Sequence, residues 1–320
     1  GHLNEVGHED LDSLFNRSAV KEHIGYFLVG EGYRKISKNL GYRMPVRERF
    51  QKWFEKKPYR YISAIIIHTI VLMVILWYIT DAISESTFIA TSDLLVSLFP
   101  ALDLSVSAVN RFFAFLLPPR KLNKMDFRDS IPETSRTLVV VPTMFSSVDD
   151  VRDQLNRLEI RSLANPHPEL QFALLSDFQD SRSETEQEDQ EILNAAKEVI
   201  SKLNKKYSSA YGNKFFVLHR DRLWNEAERV WMGWERKRGK LEEFNMLLND
   251  PDSKTTYSFI AGNFFESIQR ETVKYVITLD SDTKMPPDSA INLIRTISHP
   301  LNRAFYNREE NRVTSGYAII

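Results

Sequence analysis

The stretch from Tyr61 to Ile79 is apolar almost without interruption, and it sets the strongest limit on how the chain can fold. His68 is its one ionisable residue, and Trp77 and Tyr78 stand at its far end. An apolar run of about 20 residues crosses a bilayer as one helix, and aromatic residues favour the membrane interface. The alternative is a fully buried core helix. The preceding segment is rich in basic residues, namely Arg43, Arg47, Arg49, Lys52, Lys56, Lys57 and Arg60, against Glu48 and Glu55. The sequence therefore predicts a transmembrane helix whose first end is cytoplasmic.

A second apolar region runs from Thr87 to Leu117 and is interrupted by Asp93, Pro100, Asp103 and Arg111. Two interpretations stay open: a kinked second span, or a short span followed by an amphipathic helix at the membrane interface near 106–117. The connecting loop, 81–86, is acidic, and Arg120, Lys121, Lys124 and Arg128 follow the region. Residues 59–118 are therefore predicted to form a membrane hairpin with both ends in the cytoplasm, without a cleaved signal peptide.

Residues 1–58 mix charged and apolar positions at helical spacing, which predicts short amphipathic helices beside the membrane. The chain contains no cysteine, so disulfides and thiol chemistry are excluded. Its formal net charge of -1 gives no basic field of the kind that binds nucleic acid.

From Asp126 onward, short apolar strands alternate with helical segments, a pattern typical of parallel βαβ units. Strands are predicted at 137–143, 170–177, 214–219 and in the run that begins at Tyr275, with helices at 147–163 and about 187–207. Residues 125–320 are thus predicted to form an α/β unit with a mostly parallel sheet. Polar residues stand at the predicted strand ends, namely Thr143, Asp177, His219, Arg220, Asp280 and Asp282. In such sheets ligands bind beyond the carboxyl ends of the strands, so these residues are expected to share one site.

Asp280 and Asp282 follow an apolar strand with one residue between them. Paired carboxylates suit Mg²⁺ or Mn²⁺, which keep several waters and bridge to a substrate diphosphate. The alternative is a solvated turn in which Asp282 caps the next element.

Trp224, Trp231 and Trp234 lie close together, just before a basic run that contains Arg236, Lys237, Arg238 and Lys240. Aromatic faces pack on sugar rings, and cations pair with phosphate, so this segment predicts a nucleotide-sugar site. Trp231 and Trp234 are candidate sugar or acceptor contacts. Lys240 is a candidate phosphate contact, because Gly239 precedes it where an amphipathic helix is expected to begin. The alternative is that the tryptophans fill core and the basic run is a solvated face.

Several longer segments resemble the N-terminal glycosyltransferase region of cyclic β-1,2-glucan synthases, which are bacterial inner-membrane enzymes. They are LGYRMPVRERF (40–50), VNRFFAFLLPPRKLNKMDFRDSIPETSRTLVVVPTMF (109–145), LEIRSLANPHPELQFALLSD (158–177), VWMGWERKRGKLEEFN (230–245), YVITLDSDTKMP (275–286) and HPLNR (299–303).

The resemblance implies a GT-A-like fold and an inverting transferase that uses UDP-glucose and a divalent metal, Mg²⁺ or Mn²⁺, to extend a glucan chain. It assigns the metal and diphosphate to Asp280 and Asp282, the nucleoside to Thr143 and Asp177, and the phosphates to Lys240. It places the catalytic base beyond Ile320, together with cyclisation and phosphorylase-like domains of a longer polypeptide. Two other functions stay open: a synthase of another β-glucan, and a non-catalytic membrane module of a polysaccharide machine.

Overall fold

A computed structural model of the chain describes residues 26–27, 32–43, 45–55, 57–83, 87–117, 121–127, 130–207, 211–268 and 273–320. The chain divides into two compact units, residues 1–122 and 123–320, and each is described by itself. Several positions used in the sequence predictions lie outside the described residues, namely 1–25, Lys56, 84–86, Arg120 and Arg128.

The described part of the first unit contains two short helices, α1 (Tyr33–Asn39) and α2 (Val46–Glu55), followed by two long ones, α3 (Tyr59–Ile83) and α4 (Thr87–Leu116). Both long helices are apolar enough over Tyr59–Ala82 and Leu95–Leu116 to cross a membrane. Among the described residues, only 6% of the apolar window of α3 and 22% of that of α4 is buried, so most of both apolar surfaces is uncovered in this chain. α4 continues through Pro100 as one helix.

Polar side chains join α3 to α4. His68 Nδ1 lies 3.0 Å from the Oγ of Ser105, which is fully buried and donates to the carbonyl of Ala101. Tyr61 donates to Asn110 nearer the start of α3. Because an unpaired polar group is costly in an apolar medium, these contacts fix which faces of the two helices meet.

The second unit is built on a five-stranded sheet. The strands described in this unit, including those outside the main sheet, are β1 (Thr137–Phe145), β2 (Leu170–Phe178), β3 (Phe215–Arg220), β4 (Leu223–Asn225), β5 (Val230–Met232), β6 (Tyr257–Ala261), β7 (Tyr275–Thr278), β8 (Phe305–Asn307) and β9 (Arg312–Ser315). The sheet has the order β6-β3-β2-β1-β7, in which β6 is antiparallel and the others are parallel. β4 pairs with β5, and β8 pairs with β9, as separate hairpins. The prediction of an α/β unit with a mostly parallel sheet, preceded by two apolar helices, is confirmed.

Helices cover both faces of the sheet. They are α5 (Val148–Ala164), α6 (Asp189–Lys206), α7 (Arg236–Asn249), α8 (Phe264–Ser267) and α9 (Ser289–Ile297). α5, α6 and α9 pack on one face, and α7 and α8 pack on the other. β1 and β2 are buried on both sides, which is why their sequences are apolar runs rather than alternating ones.

Candidate active site

The carboxyl ends of β1, β2 and β3 lie side by side, and their register determines which side chains share a face. Thr143, Ser176 and His219 are partners in adjacent strands, and Asp177 is the partner of Arg220. Because side chains alternate along a strand, the first three point to the α5 and α6 face and the Asp177–Arg220 pair points to the α7 face. β2 and β7 lie on opposite sides of β1, so the order in which strands are added to the sheet changes side at β1. Open α/β sheets bind ligands beyond the strand ends at such a point.

A buried group of four charges occupies the α7 face at these strand ends. Arg220 is fully buried and holds Asp177 with two hydrogen bonds, Nε to Oδ1 at 2.8 Å and Nη2 to Oδ2 at 3.0 Å. Arg220 Nη1 also donates to Glu243 Oε1 at 3.1 Å. The fourth member is Lys240, whose Nζ lies 3.0 Å from Asp177 Oδ2. Two cations and two carboxylates balance, so the quartet of Asp177, Arg220, Lys240 and Glu243 carries no net charge.

Lys240 is only 3% exposed and donates to the carbonyl of Thr143 as well as pairing with Asp177. Burial lowers the pKa of the Lys240 ammonium group, and the neighbouring Asp177 carboxylate opposes that shift. The structure therefore brings together Thr143, Asp177 and Lys240, three of the predicted donor-site residues. Thr143 takes part through its carbonyl oxygen, since its side chain points to the opposite face of the sheet.

The prediction that a helix begins at Gly239 and Lys240 is wrong. α7 begins at Arg236, after Glu235 adopts a left-handed conformation with φ of 49°. Gly239 is inside the helix, and a Cβ there would lie 2.0 Å from the carbonyl oxygen of Trp234. The glycine thus allows the chain before α7 to pack closely against the helix.

Lys237, one turn before Lys240 on α7, contacts Asp280. Both side chains are more than half exposed, so this ion pair adds little to stability. It nevertheless links Asp280, which follows β7, to the helix that holds Asp177 and Thr143. The first turn of α7 therefore connects three strand ends at one edge of the sheet, and we call this set of contacts the α7 rim.

Arg161 of α5 fixes the loop that contains Asp282. Its Nη2 donates to the carbonyls of Ser281 at 2.7 Å and Thr283 at 3.0 Å, and its Nε donates to Thr283 at 3.2 Å. Burial lowers the pKa of Arg161, as does repulsion from Arg157, whereas Asp282 raises it. Asn165, one turn later, donates to the carbonyl of Pro286 and accepts from the Ala290 amide. These bonds hold the Asp282 loop against α5 and leave the Asp280 and Asp282 side chains exposed.

Among the described residues, no group of three or more His, Asp or Glu side chains is arranged to hold a metal ion. Asp280 and Asp282 are two exposed carboxylates, and Asp280 already attracts a cation in Lys237. Mg²⁺ commonly binds one or two carboxylates and takes its other ligands from water and substrate phosphate. The oxygen donors present here fit that type of site.

The three tryptophans have different surroundings. Trp224 and Trp231 face each other across the β4–β5 hairpin with ring centroids 5.8 Å apart, and Trp224 is 46% exposed. Trp234 is 42% exposed, and its carbonyl accepts a hydrogen bond from Arg220. The alternative that these side chains simply fill the core does not describe Trp224 or Trp234.

No protein-family model matches the chain. Among curated proteins, cyclic beta-(1,2)-glucan synthase NdvB from Rhizobium meliloti (strain 1021) is 37% identical over 325 residues. That match covers 99% of this chain and 11% of NdvB. The chain is homologous to one segment of a cyclic β-1,2-glucan synthase. This match confirms the resemblance read from the sequence motifs, and the α7 rim lies inside the segment shared with NdvB.

Two residues of the region shared with NdvB were missed by sequence reasoning, namely Arg161, which holds the Asp282 loop, and Glu243, which completes the quartet. Lys237 was predicted as part of the basic run, but its contact with Asp280 was not. Arg220 was noted as a strand-end residue, but its partner was not predicted. The i, i+3 spacing of Lys237, Lys240 and Glu243 was the available signal, because it places all three on one side of α7.

His219 predicts a pH dependence of stability. Its ring is fully buried between Phe145 and Phe178, and Nδ1 lies 2.8 Å from Ser176 Oγ. Burial lowers the pKa of His219 to about 3, with Asp177 the largest opposing influence. Above pH 6.5 the imidazole is neutral in both the folded and the unfolded chain. Below pH 6.5 the unfolded chain binds a proton that the folded chain excludes, so stability falls as the pH drops toward 3.

Below pH 6.5 the unfolding free energy falls by about 1.4 kcal/mol for each pH unit because of this histidine. Between pH 7 and pH 5 the protein should therefore lose about 2 kcal/mol of unfolding free energy through His219. Urea unfolding of the wild type and of His219→Gln at both pH values measures the difference. The wild type should lose about 2 kcal/mol more than the variant, since glutamine cannot take up a proton. Equal losses would show that His219 is not held neutral by burial.

Proposed function

We propose that this chain is the donor-binding part of a membrane-bound, inverting glucosyltransferase that uses UDP-glucose to build β-1,2-glucan. The similarity to NdvB supports the choice of product class. The observation that carries the proposal is the α7 rim, where one helical turn joins Asp280, Asp177 and the Thr143 carbonyl at the sheet edge. Fixed cations beside exposed carboxylates suit a metal-bridged diphosphate.

Each rim residue has a proposed part in donor binding. Asp280 and Asp282 would hold Mg²⁺ or Mn²⁺, and that ion would offset the charge that builds up on the departing diphosphate. Lys237, which already lies against Asp280, would add a positive charge on the same side. Thr143, Asp177 and Lys240 would form the nucleoside and phosphate side of the donor site. Because Lys240 is paired with Asp177, its contact with a phosphate requires an exchange of partner.

In the proposed reaction a hydroxyl oxygen of the growing glucan attacks the anomeric carbon of the donor glucose. The new C–O bond forms as the bond to the diphosphate breaks, and the hydroxyl proton passes to a base. The rim residues of this chain bind and orient the donor, and the acceptor approaches from the opposite side of the sugar, which inverts the anomeric centre.

We further propose that α3 and α4 anchor the enzyme in the bacterial inner membrane with the α/β unit in the cytoplasm. The apolar, largely unburied surfaces of both helices support the anchor. The basic residues Arg49, Lys52, Lys57 and Arg60 before or at the start of α3 support the orientation, because cytoplasmic flanks carry an excess of lysine and arginine.

Binding of UDP in the presence of Mn²⁺ tests the proposal. The full chain in lipid nanodiscs is titrated with UDP by calorimetry, with Mn²⁺ and then with EDTA. Asp280→Asn and Asp282→Asn should each weaken Mn²⁺-dependent binding about 10- to 100-fold, because each removes a charged oxygen ligand. Removal of Mn²⁺ should have a comparable effect on the wild type and little further effect on the variants.

Asp252→Asn is the matched control, since Asp252 is an exposed aspartate in a turn after α7. It should leave UDP affinity unchanged. If Asp280→Asn and Asp282→Asn bind UDP as tightly as the wild type does, these carboxylates do not hold the metal and the proposed donor site is wrong.

A further inference from the structure

A cavity of about 470 Å³ lies at the carboxyl ends of β1 and β2, on the α6 face of the sheet. Phe145 and Phe178 form its apolar base, and the loop Gln179–Glu188 together with Asp189 of α6 forms much of its wall. Phe178 follows Asp177 directly, so the two side chains point to opposite faces of β2. The cavity is therefore separated by the sheet from the buried quartet, and its volume is in the range that holds small ligands.

The polar groups of this cavity suit a neutral, hydroxyl-rich ligand. Gln179, Asp180, Gln187 and Glu188 contribute amides and carboxylates. Arg222 also lines the cavity, but its charge is engaged by Asp189, with Nη1 2.6 Å from Oδ2, and its Nε donates to the Gln179 carbonyl. An excess of carboxylates disfavours a phosphate, whereas sugar hydroxyls can donate to carboxylates and exchange hydrogen bonds with amides.

The β4–β5 hairpin presents an aromatic surface that is joined to the same loop. Trp224 and Trp231 are opposite each other in the hairpin, and their rings share one face. Trp231 exchanges two backbone hydrogen bonds with Ser181, at 2.9 and 2.8 Å, and Ser181 lines the cavity. The hairpin is thus fixed to the cavity wall by main-chain bonds. Trp224 is 46% exposed and Trp231 is partly buried, and an accessible indole face is suited to pack on the apolar face of a sugar ring.

The same loop also borders the α7 rim. Asp180 accepts a hydrogen bond at 2.8 Å from Arg236, the first residue of α7. This loop therefore connects the cavity wall to the tryptophan hairpin and to the helix that carries the proposed donor contacts. A ligand in this position would be close to the donor site and yet would not occupy it.

We infer that Trp224, Trp231 and the loop Gln179–Glu188 form a second carbohydrate site, the hairpin–loop site, which binds glucose units of a β-linked glucan. The inference rests on the proposed function, because it identifies a place where the growing or finished chain is held. Trp234 is not part of it, since that residue lies just before α7 and its carbonyl accepts a hydrogen bond from Arg220. The site retains glucan by stacking and hydroxyl contacts.

The test measures binding of a linear β-1,2-linked glucotetraose and of UDP with Mn²⁺ to the same nanodisc preparation of the full chain. Trp224→Ala and Glu188→Ala should each weaken tetraose binding about tenfold, because each removes a stacking or hydrogen-bonding partner. Trp224→Phe keeps an aromatic ring and should recover part of the affinity for the tetraose. That recovery would show that Trp224→Ala acts by removing the ring, and not by disrupting the β4–β5 hairpin. Phe265→Ala, which removes an exposed aromatic side chain from α8, is the matched control.

The inference is supported if the tetraose affinity falls in Trp224→Ala and Glu188→Ala while UDP affinity stays at the wild-type value. It is overturned if the wild type binds UDP but not the tetraose, and the proposed donor site then stands. It is also overturned if the same variants weaken UDP as much as the tetraose, since the cavity then belongs to the donor site. If the wild type binds the tetraose but not UDP, the proposed function fails and the hairpin–loop site remains.

Discussion

Replacing Arg220 with methionine is expected to lower the unfolding free energy of the α/β unit by about 3–5 kcal/mol. The substitution leaves Asp177 and Glu243 buried with one fewer cation, and both Asp177 oxygens lose a hydrogen bond from the guanidinium group. Removing one member of a buried, hydrogen-bonded ion group costs far more than removing an exposed pair, because the remaining charge cannot reach water. Urea unfolding of the full chain, followed by tryptophan fluorescence and circular dichroism, measures the change.

Arg312→Met is the control for Arg220→Met. Arg312 also pairs with a glutamate, Glu310, but its side chain is 71% exposed. That variant should change stability by less than about 0.5 kcal/mol. Arg220→Lys should fall between the two, since lysine keeps the charge and loses the two-pronged geometry. If Arg220→Met and Arg312→Met are equally stable, the quartet does not contribute to the fold as its burial indicates.

Replacing Arg161 with methionine is expected to cost about 3 kcal/mol and to loosen the loop that carries Asp282. Arg161 donates to the carbonyls of Ser281 and Thr283, and each hydrogen bond from a charged group contributes about 1.5–3 kcal/mol. Because these bonds connect α5 to one loop, the effect should be concentrated there. Hydrogen exchange of residues 280–288 should accelerate more than exchange in β1 or β2.

Arg157→Met is a matched control on the same helix, since Arg157 pairs with Asp153 at 2.7 Å on the exposed side of α5. It should leave exchange in the Asp282 loop unchanged. Mn²⁺-dependent UDP binding should weaken in Arg161→Met and not in Arg157→Met, if the loop has to be held for Asp282 to serve as a ligand. Wild-type exchange and UDP binding in Arg161→Met would contradict the assigned role of this arginine.

The apolar helices and the central strands could be predicted from the sequence because their patterns are local. β1 and β2 are continuous apolar runs, and α5 begins where Ser147 accepts a hydrogen bond from the Asp150 amide. A residue that caps a helix lies within a few positions of the backbone it binds, so the signal is present in a short window. The strand-end location of Asp177 followed from the same kind of pattern.

The partners of the site residues could not be predicted in this way. Asp177 meets Arg220 because of the register between two parallel strands, and that register depends on the packing of the whole unit. β6 was missed because it is short and enters the sheet antiparallel at its edge, beside β3. The start of α7 was misplaced because Glu235 reaches a left-handed conformation that its residue type does not signal. The strand register and the pairing at the sheet edge depend on residues far apart in the sequence, so a short sequence window does not predict them.

The contrast between the buried quartet and the exposed Lys237–Asp280 pair gives the α7 rim two different responses to ionic strength. Salt screens exposed charges strongly and enclosed charges weakly. At high salt the contact between Lys237 and Asp280 loosens, while Asp177, Arg220, Lys240 and Glu243 keep their arrangement. The buried quartet should therefore keep the fold intact while salt weakens the exposed charges. A fall in UDP affinity with rising salt would then measure the electrostatic attraction of the ligand, and not a loss of the folded structure.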